Sequence, residues 1–481
     1  MDDFLCGLTG EIVLPVDKEY NELRQGYNRA VQKYPFIIVY CSDECDVSNA
    51  VVWALKHCIP IRIRSGGHNY EGYSNGNCTL VIDLSRMNNI ELDECKGLVY
   101  MQGGVTNKEV YEYVSSIGYP FPGGTCPSVG VSGYSTGGGW GLSCRYLGLG
   151  CDSLVEIELV NYEGDLIKAN RCCNSDLFWA CRGAGGSNFG VIVNMTFKLP
   201  YPVDKVTVIE IDYINVSSEE QEIFLNVWQN WLKAADNRTT LISRIYNSEN
   251  DGLSMLVRGI FYGDIDESKE ILKCFLELEN AEYNFEYVTF LKAVEIIGSS
   301  YPDWEKFKSA SRFVINGLSD YEISDIVDII KARAEGSVYA GISMYALGGK
   351  VSEVPVDDTA FYYRNASYII WLETVWESDS YSEENSKWIK NKFPYLKSVT
   401  TGSYINFPYR ELNNYLEEYY GSHKDRLRAI KEKYDPLNVF TFPQAIIANK
   451  DECQPLLDKE TSLNSYKTNI NHREFRYVTK K

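Results

Sequence analysis

Short β-branched runs alternate with helical stretches through the first part of the chain. Apolar runs at Phe36-Ile37-Ile38-Val39-Tyr40 and Ile61-Arg62-Ile63-Arg64 flank a helical segment predicted over 47–57. Further runs predict strands over 79–84, 98–101, 155–161 and 191–199, with an amphipathic helix over 108–117. Strands interleaved with helices read as α/β behaviour. Beyond about Pro202 the texture changes to longer strands and helices with fewer glycines, including aromatic-rich strands over 339–347 and 368–376. In the second of these, alternation puts Ile369, Trp371 and Glu373 on one face. A helix with a charged outer face is predicted over 411–434, stopped by Asp435-Pro436, because the residue before a proline is pushed out of helical geometry.

Length changes this picture little: 481 residues exceed one ordinary core and suit two or three domains. Charge changes it more. Lys and Arg number 47 against 66 Asp and Glu, a formal net charge of −19, which repels nucleic acid and anionic membranes. No run of 18 apolar residues occurs, and Met1-Asp2-Asp3-Phe4 has neither the basic nor the apolar part of a signal peptide, so a cytoplasmic protein is expected. The fourteen cysteines are scattered and are expected to be reduced and structural. Cys41 and Cys45 are separated by three residues, Cys172 and Cys173 are adjacent, and neither paired CxxC motifs nor HExxH occurs, so no metal site is expected.

Glycine carries the candidate chemistry. It is concentrated in Arg64-Ser65-Gly66-Gly67-His68-Asn69-Tyr70, in the stretch from Pro122 to Gly141, and in Arg182-Gly183-Ala184-Gly185-Gly186-Ser187-Asn188-Phe189-Gly190. Glycine lets the backbone approach an anion and present its N–H groups in a concave nest. One such cluster would be read as a turn, but three in one region point to a pyrophosphate-bearing cofactor. The Rossmann G-x-G-x-x-G and P-loop spacings are absent, so a different nucleotide fold is indicated. A rival lies in Gly133-Tyr134-Ser135-Thr136-Gly137, which matches the hydrolase nucleophile elbow, with His423 or His472 as a downstream base. That elbow follows an apolar strand, whereas Ser135 sits inside a glycine-rich loop.

The first two glycine segments together resemble the berberine bridge enzyme-like family of flavoproteins, within the vanillyl-alcohol-oxidase-type FAD fold. The resemblance continues through Val81-Ile82-Asp83-Leu84, Gly185 to Val191, Thr359-Ala360-Phe361, Tyr404-Ile405-Asn406-Phe407, Tyr419-Tyr420-Gly421 and the run from Lys433 to Phe440. It implies an α+β chain: a PCMH-type FAD-binding domain of two subdomains over 1–203 and an antiparallel-sheet substrate domain covered by helices over 204–400. A segment over 401–450 would then return to the FAD domain, ahead of a polar tail over 451–481. The active site is expected between the flavin face and the sheet.

The resemblance further implies FAD attached covalently at two points. The histidine of R-S-G-G-H, here His68, bonds to the flavin 8α-methyl, and the cysteine of G-G-x-C-P, here Cys126, bonds to flavin position 6. Around them the implied cofactor-binding residues are Arg64, Ser65, Gly66, Gly67 and Asn69 in the first segment. The second supplies Gly124, Thr125, Gly130, Ser132, Gly133, Tyr134, Gly137 and Gly138, and the later segments Gly185, Gly186, Gly190, Val191 and Asn406. Tyr134 stands where a histidine is common near the flavin's pyrimidine end. Val129 matches a position at which valine admits oxygen, although it serves equally as core filling.

The implied reaction is oxidation of an alcohol or hemiacetal, on an oligosaccharide or a secondary metabolite, with hydride passing to the flavin and O2 becoming H2O2. Oxidative ring closure and flavin binding without catalysis are the alternatives. One departure bears on this choice. Relatives carry N-Y near the C-terminus and use the tyrosine as phenolate base, whereas here the pair is Asn406-Phe407, and phenylalanine accepts no proton. Replacement candidates are Tyr70, Tyr409 and Glu373, the last of which could equally be an ion-paired carboxylate. Tyr70, Trp140, Trp371 and Phe407 are the candidate substrate contacts, with Trp140 either stacked on a sugar or buried in the core. The expected partners are a small-molecule substrate and O2, in a monomer or homodimer.

Overall fold

The computed structural model describes residues 2–448, so the tail over 451–481, and with it His472, lies outside the described residues. Three sheets carry the architecture. In the first, the strand Leu80–Asp83 lies between Ile37–Tyr40 and Ile61–Arg64, parallel to both, and Glu11–Val13 closes one edge. All four residues of the central strand are buried, as continuous apolar runs in parallel sheets require. The helix Glu44–Lys56 begins at Asp43, whose carboxylate accepts the Asp46 N–H at 2.9 Å. It buries Val47, Ala50, Val51 and Ala54 at helical spacing.

The other two sheets are antiparallel throughout. The second sheet runs in the order Ile90–Asp93, Leu98–Gln102, Val191–Lys198, Leu154–Val160, Leu166–Asn170, with every pairing antiparallel. The α/β reading of the first part therefore holds for one sheet of two.

The third sheet has seven antiparallel strands in the order Glu282–Val288, Val206–Tyr213, Gly252–Phe261, Thr239–Ser248, Ser337–Ala346, Tyr368–Trp376, Phe307–Val314. Its two faces have different company. Thr374, opposite in direction to Glu373, donates to Asn385 of the helix Ser382–Ser398 at 2.7 Å. Asn247 likewise donates to Ile330 O, at 3.0 Å, in the helix Asp320–Lys331. Helices thus cover one face and leave Arg244, Trp371 and Glu373 directed to the other.

The continuous helix predicted over 411–434 is instead two pieces, Tyr415–Tyr420 and Lys424–Tyr434, joined by a 3₁₀ turn at Gly421–His423. Gly421 has φ +51°, and a Cβ there would stand 2.3 Å from the Tyr362 ring. The second piece returns to the first part of the chain: buried Lys431 binds Asp435 and the carbonyls of Asn188 and Phe440. Among the described residues, no two cysteines form a disulfide. Among the described residues, no helix is long and apolar enough to cross a membrane.

Candidate active site

The open face of the seven-stranded sheet and the glycine-rich loops enclose a cavity of about 610 Å³. On the loop side two segments are locked together. A Cβ on Gly66 would lie 2.3 Å from Gly130 N, so backbone meets backbone there. The hydroxyls of Ser65 and Ser132 both donate to Gly103 O at 2.8 Å, which fixes both loops to one carbonyl. This packing brings His68 and Cys126 to the same end of the cavity. Ser128 Oγ lies 2.9 Å from His68 Nε2 and 3.7 Å from Cys126 Sγ. His68 is half-buried, but its exposed surface faces the cavity and not bulk water, and that desolvation pushes the imidazole down to about 4. Burial raises the Cys126 thiol, while its hydrogen bond to Ser128 opposes the shift.

On the sheet side the alternation read in Tyr368–Trp376 is realised: Trp371, Glu373 and Val375 line the cavity. The Glu373 carboxylate is buried and forms no hydrogen bond or ion pair to another described residue. Burial pushes its carboxyl up to about 8, helped by Glu305 and opposed by Arg244. Glu305, also on the lining, is raised to about 7 by the same desolvation. Arg244 is fixed by an Nε hydrogen bond of 2.7 Å to Ser343. The phenols of Tyr70 and Tyr345 are held far above their usual value by burial and stay protonated. Carboxylates are therefore the lining groups that exchange a proton near neutrality.

Tyr70 stacks on Phe407 at 5.4 Å and 10°, and Trp371 packs against both rings. Among the described residues, the buried Trp371 indole N–H has no hydrogen-bond partner.

Two stretches that contribute to the lining match known families. Residues 35–170 match a family model described as an FAD binding domain, and residues 403–447 one described as berberine and berberine like. The chain is 38% identical to the FAD-linked oxidoreductase YgaK of Bacillus subtilis over 447 residues, 91% of this chain and 97% of that protein. The fold matches that of Physcomitrella patens BBE-like 1 with TM-score 0.86 at 26% identity, covering 94% of this chain and 99% of the other. It also matches a chitooligosaccharide oxidase with TM-score 0.82 at 25% identity, covering 92% and 98%. The chain belongs to the berberine bridge enzyme-like family of FAD-linked oxidoreductases.

For a member of this family the first question is whether the residues present suit FAD, and two glycines answer it. A Cβ on Gly133 would meet nothing within 4 Å, and one on Gly186 nothing closer than Thr136 Oγ1 at 3.6 Å. Both line the cavity, so their missing side chains leave room for the flavin that methyl groups would fill. Ser65, Gly66, Gly67, Asn69, Gly124, Thr125, Gly130, Tyr134, Gly185 and Asn406 share the lining. Asn406 is fixed by hydrogen bonds to Tyr134 O at 2.8 Å and to the Tyr404 hydroxyl at 3.1 Å.

Other candidates stand behind that surface. Arg64 forms a buried ion pair with Asp83. Gly137 makes room for Asn406 and Gly138 for Phe361, while Gly190 packs on Val160 O and Val191 lies in the core. Tyr409 does not reach the cavity; its ring faces Phe393 and Lys308. Trp140 borders the cavity, but its indole N–H is committed to Ala346 O at 2.7 Å. Ser135, the elbow serine, has a buried hydroxyl with no hydrogen-bond partner among the described residues, and His423 faces Asp357 and Ala360 O. Among the described residues, Ser135 has no base beside it.

Sequence reasoning missed Arg244, Glu305, Tyr301, Tyr339 and Tyr27, all on the lining. The first four belong to the seven-stranded sheet or its connections, whose pairing no local pattern announces. Tyr27 lies in a segment without periodicity, and its ring stacks on His68 at 4.3 Å.

Proposed function

We propose that this protein oxidises an alcohol or hemiacetal of a small, polar, ring-shaped molecule, such as the reducing end of an oligosaccharide, with FAD joined to His68 and Cys126 and O2 reduced to H2O2. The observation that carries the reading is one cavity shared by the two attachment candidates and a buried, unpartnered carboxylate, Glu373. Bound FAD supplies the two-electron acceptor. Glu373 takes the hydroxyl proton that Phe407 cannot, and Arg244 keeps enough of its carboxyl ionised to do so. Tyr70, protonated, donates a hydrogen bond to the substrate oxygen and sets its orientation. Asn406 and the backbone beside Gly133 and Gly186 hold the cofactor, while Val129 on the lining keeps a path for oxygen narrow but open. The match to a chitooligosaccharide oxidase supports a carbohydrate substrate.

The aromatic wall of Tyr70, Phe407, Trp371 and Tyr345 supports a second reading, a planar aromatic metabolite undergoing oxidative ring closure. Anaerobic mixing with sugars and with phenolic or alkaloid alcohols separates the two. Bleaching of the flavin by sugars supports the first reading, bleaching by aromatic compounds alone supports the second, and bleaching by neither class sinks both. Attachment is tested by acid denaturation: yellow colour must stay with the polypeptide. It must become extractable only when His68→Ala and Cys126→Ala are combined.

A further inference from the structure

The imidazole of His68 is gripped from two sides by residues outside the two cofactor motifs' attachment atoms. On one side the segment around Tyr27 forms a strap. Gly26 allows it to approach closely, since a Cβ there would lie 2.8 Å from Gly67 O. Tyr27 N donates to Gly67 O at 3.1 Å, and Tyr27 O accepts from Glu305 N at 3.1 Å, so the strap is bonded both to the His68 loop and to the sheet side. Asn28 extends the grip by donating to Tyr70 O at 2.8 Å and to Phe307 O at 3.0 Å. The strap lays the Tyr27 ring on the imidazole at 24° between planes. On the other side stands Ser128, whose single hydroxyl contacts both attachment candidates. The Nδ1 atom of His68 makes no hydrogen bond to a described residue.

A hydroxyl has one proton to give and lone pairs to receive. If Ser128 Oγ accepts from the Nε2–H of His68, its own proton points to Cys126 Sγ. One arrangement then prepares two nucleophiles: the imidazole carries its proton on Nε2 and bares the Nδ1 lone pair, while the sulfur gains a donor that favours thiolate. The opposite polarity would bare the bonded nitrogen and leave the sulfur unassisted. We infer that Ser128 and Tyr27 are positioning residues for cofactor attachment, Ser128 setting the tautomer of His68 and the ionisation of Cys126 through one hydroxyl, and Tyr27 fixing the plane of the ring.

This inference rests on the double attachment proposed above. Each attachment exchanges one N–H or S–H and one flavin C–H for a single new bond, and passes two protons and two electrons to dioxygen, giving hydrogen peroxide.

Ser128 is exposed, so its replacement leaves the fold intact. The experiment follows wild type, Ser128→Ala, Ser128→Thr and Tyr27→Leu over time after induction, with proteolysis of the denatured protein and mass analysis of flavin-bearing peptides. Wild type should yield one adduct that cross-links the His68 and Cys126 peptides. Ser128→Ala should slow the appearance of that adduct by about tenfold or more, and Ser128→Thr, which restores a hydroxyl, should recover most of the rate. Tyr27→Leu should lose the His68 bond selectively and leave flavin on the Cys126 peptide. A cross-linked adduct forming in Ser128→Ala as fast as in wild type overturns the role of the hydroxyl while leaving double attachment standing. A wild-type protein whose flavin is wholly released by acid overturns both.

Discussion

At the scale of single residues, Glu373 concentrates a conflict between stability and function. Its carboxyl is held protonated up to about pH 8 in the folded chain, against a usual value of 4.5. Across that window the folded state binds more protons than the unfolded one, so the stability contribution is present at low pH and is lost as pH rises through about 8. Glu373→Gln keeps the shape and removes the charge. Thermal melting should therefore show the variant gaining stability over wild type, more at pH 8 than at pH 5. Activity should move the opposite way. Loss of a positioned base costs about 10²–10⁴-fold in kcat/KM, and the wild-type rise in kcat/KM as pH approaches 8 should flatten in the variant. A variant that melts lower than wild type at alkaline pH, or keeps the wild-type pH profile, would refute the assignment. Glu373 was legible in the sequence because alternation alone directs it with Trp371. The charged neighbours that shift it, Arg244 and Glu305, were not, because they arrive from distant strands and connections whose neighbours are set by sheet order.

At the scale of elements, local rules carried far where one face of a segment is buried and failed where a tertiary contact intervenes. The strand Tyr368–Trp376 matches its predicted bounds, and the helix Glu44–Lys56 matches its predicted end within one residue but starts three residues earlier, at the Asp43 cap. The helix predicted over 411–434 broke at Gly421, whose φ of +51° lies outside helical geometry and whose missing side chain leaves room for the Tyr362 ring. Beyond the break, the helix Lys424–Tyr434 docks through a buried charge that a helical wheel would have put in solvent. Lys431 Nζ binds Asp435 at 2.6 Å, Phe440 O at 2.7 Å and Asn188 O at 2.5 Å. Burial lowers the lysine's affinity for its proton, and Asp435 opposes that shift. Breaking one partner of such a pair leaves the other charge buried alone, at a cost of about 3–5 kcal/mol. Lys431→Met should lower the denaturation midpoint accordingly. Pairing it with Asp435→Leu should recover only part of the loss, because Asp435 also accepts the N–H groups of Val439 and Phe440 at 2.9 Å. Full recovery in the double variant would show that those two hydrogen bonds contribute nothing.

At the scale of the molecule, the cavity exists only because the seven-stranded sheet is fastened to the glycine-rich loops, and buried polar groups do the fastening. Lys308 pairs with Glu71 at 2.6 Å, and Trp140 Nε1 reaches Ala346 O. The fullest tie is Arg145, which is 4% exposed and donates to the carbonyls of Thr239, Ala235 and Leu347 from the short helix Cys144–Leu147 that follows Trp140. The turn at Gly348 and Gly349 is shaped around it: Cβ atoms there would lie 2.8 Å from its Nη1 and 2.4 Å from its carbonyl oxygen. Removing the guanidinium leaves several buried acceptors unpaired, at a cost of about 3 kcal/mol or more. If these ties make sheet and loops one cooperative unit, loss of sheet structure by circular dichroism and release of flavin fluorescence should share a midpoint in wild type. Arg145→Met should then move both midpoints downward together. A variant in which the sheet signal shifts and the flavin signal stays would mean that the two sides of the cavity unfold independently. The active site would then be an interface between separately stable parts, with Arg145 acting within the sheet alone.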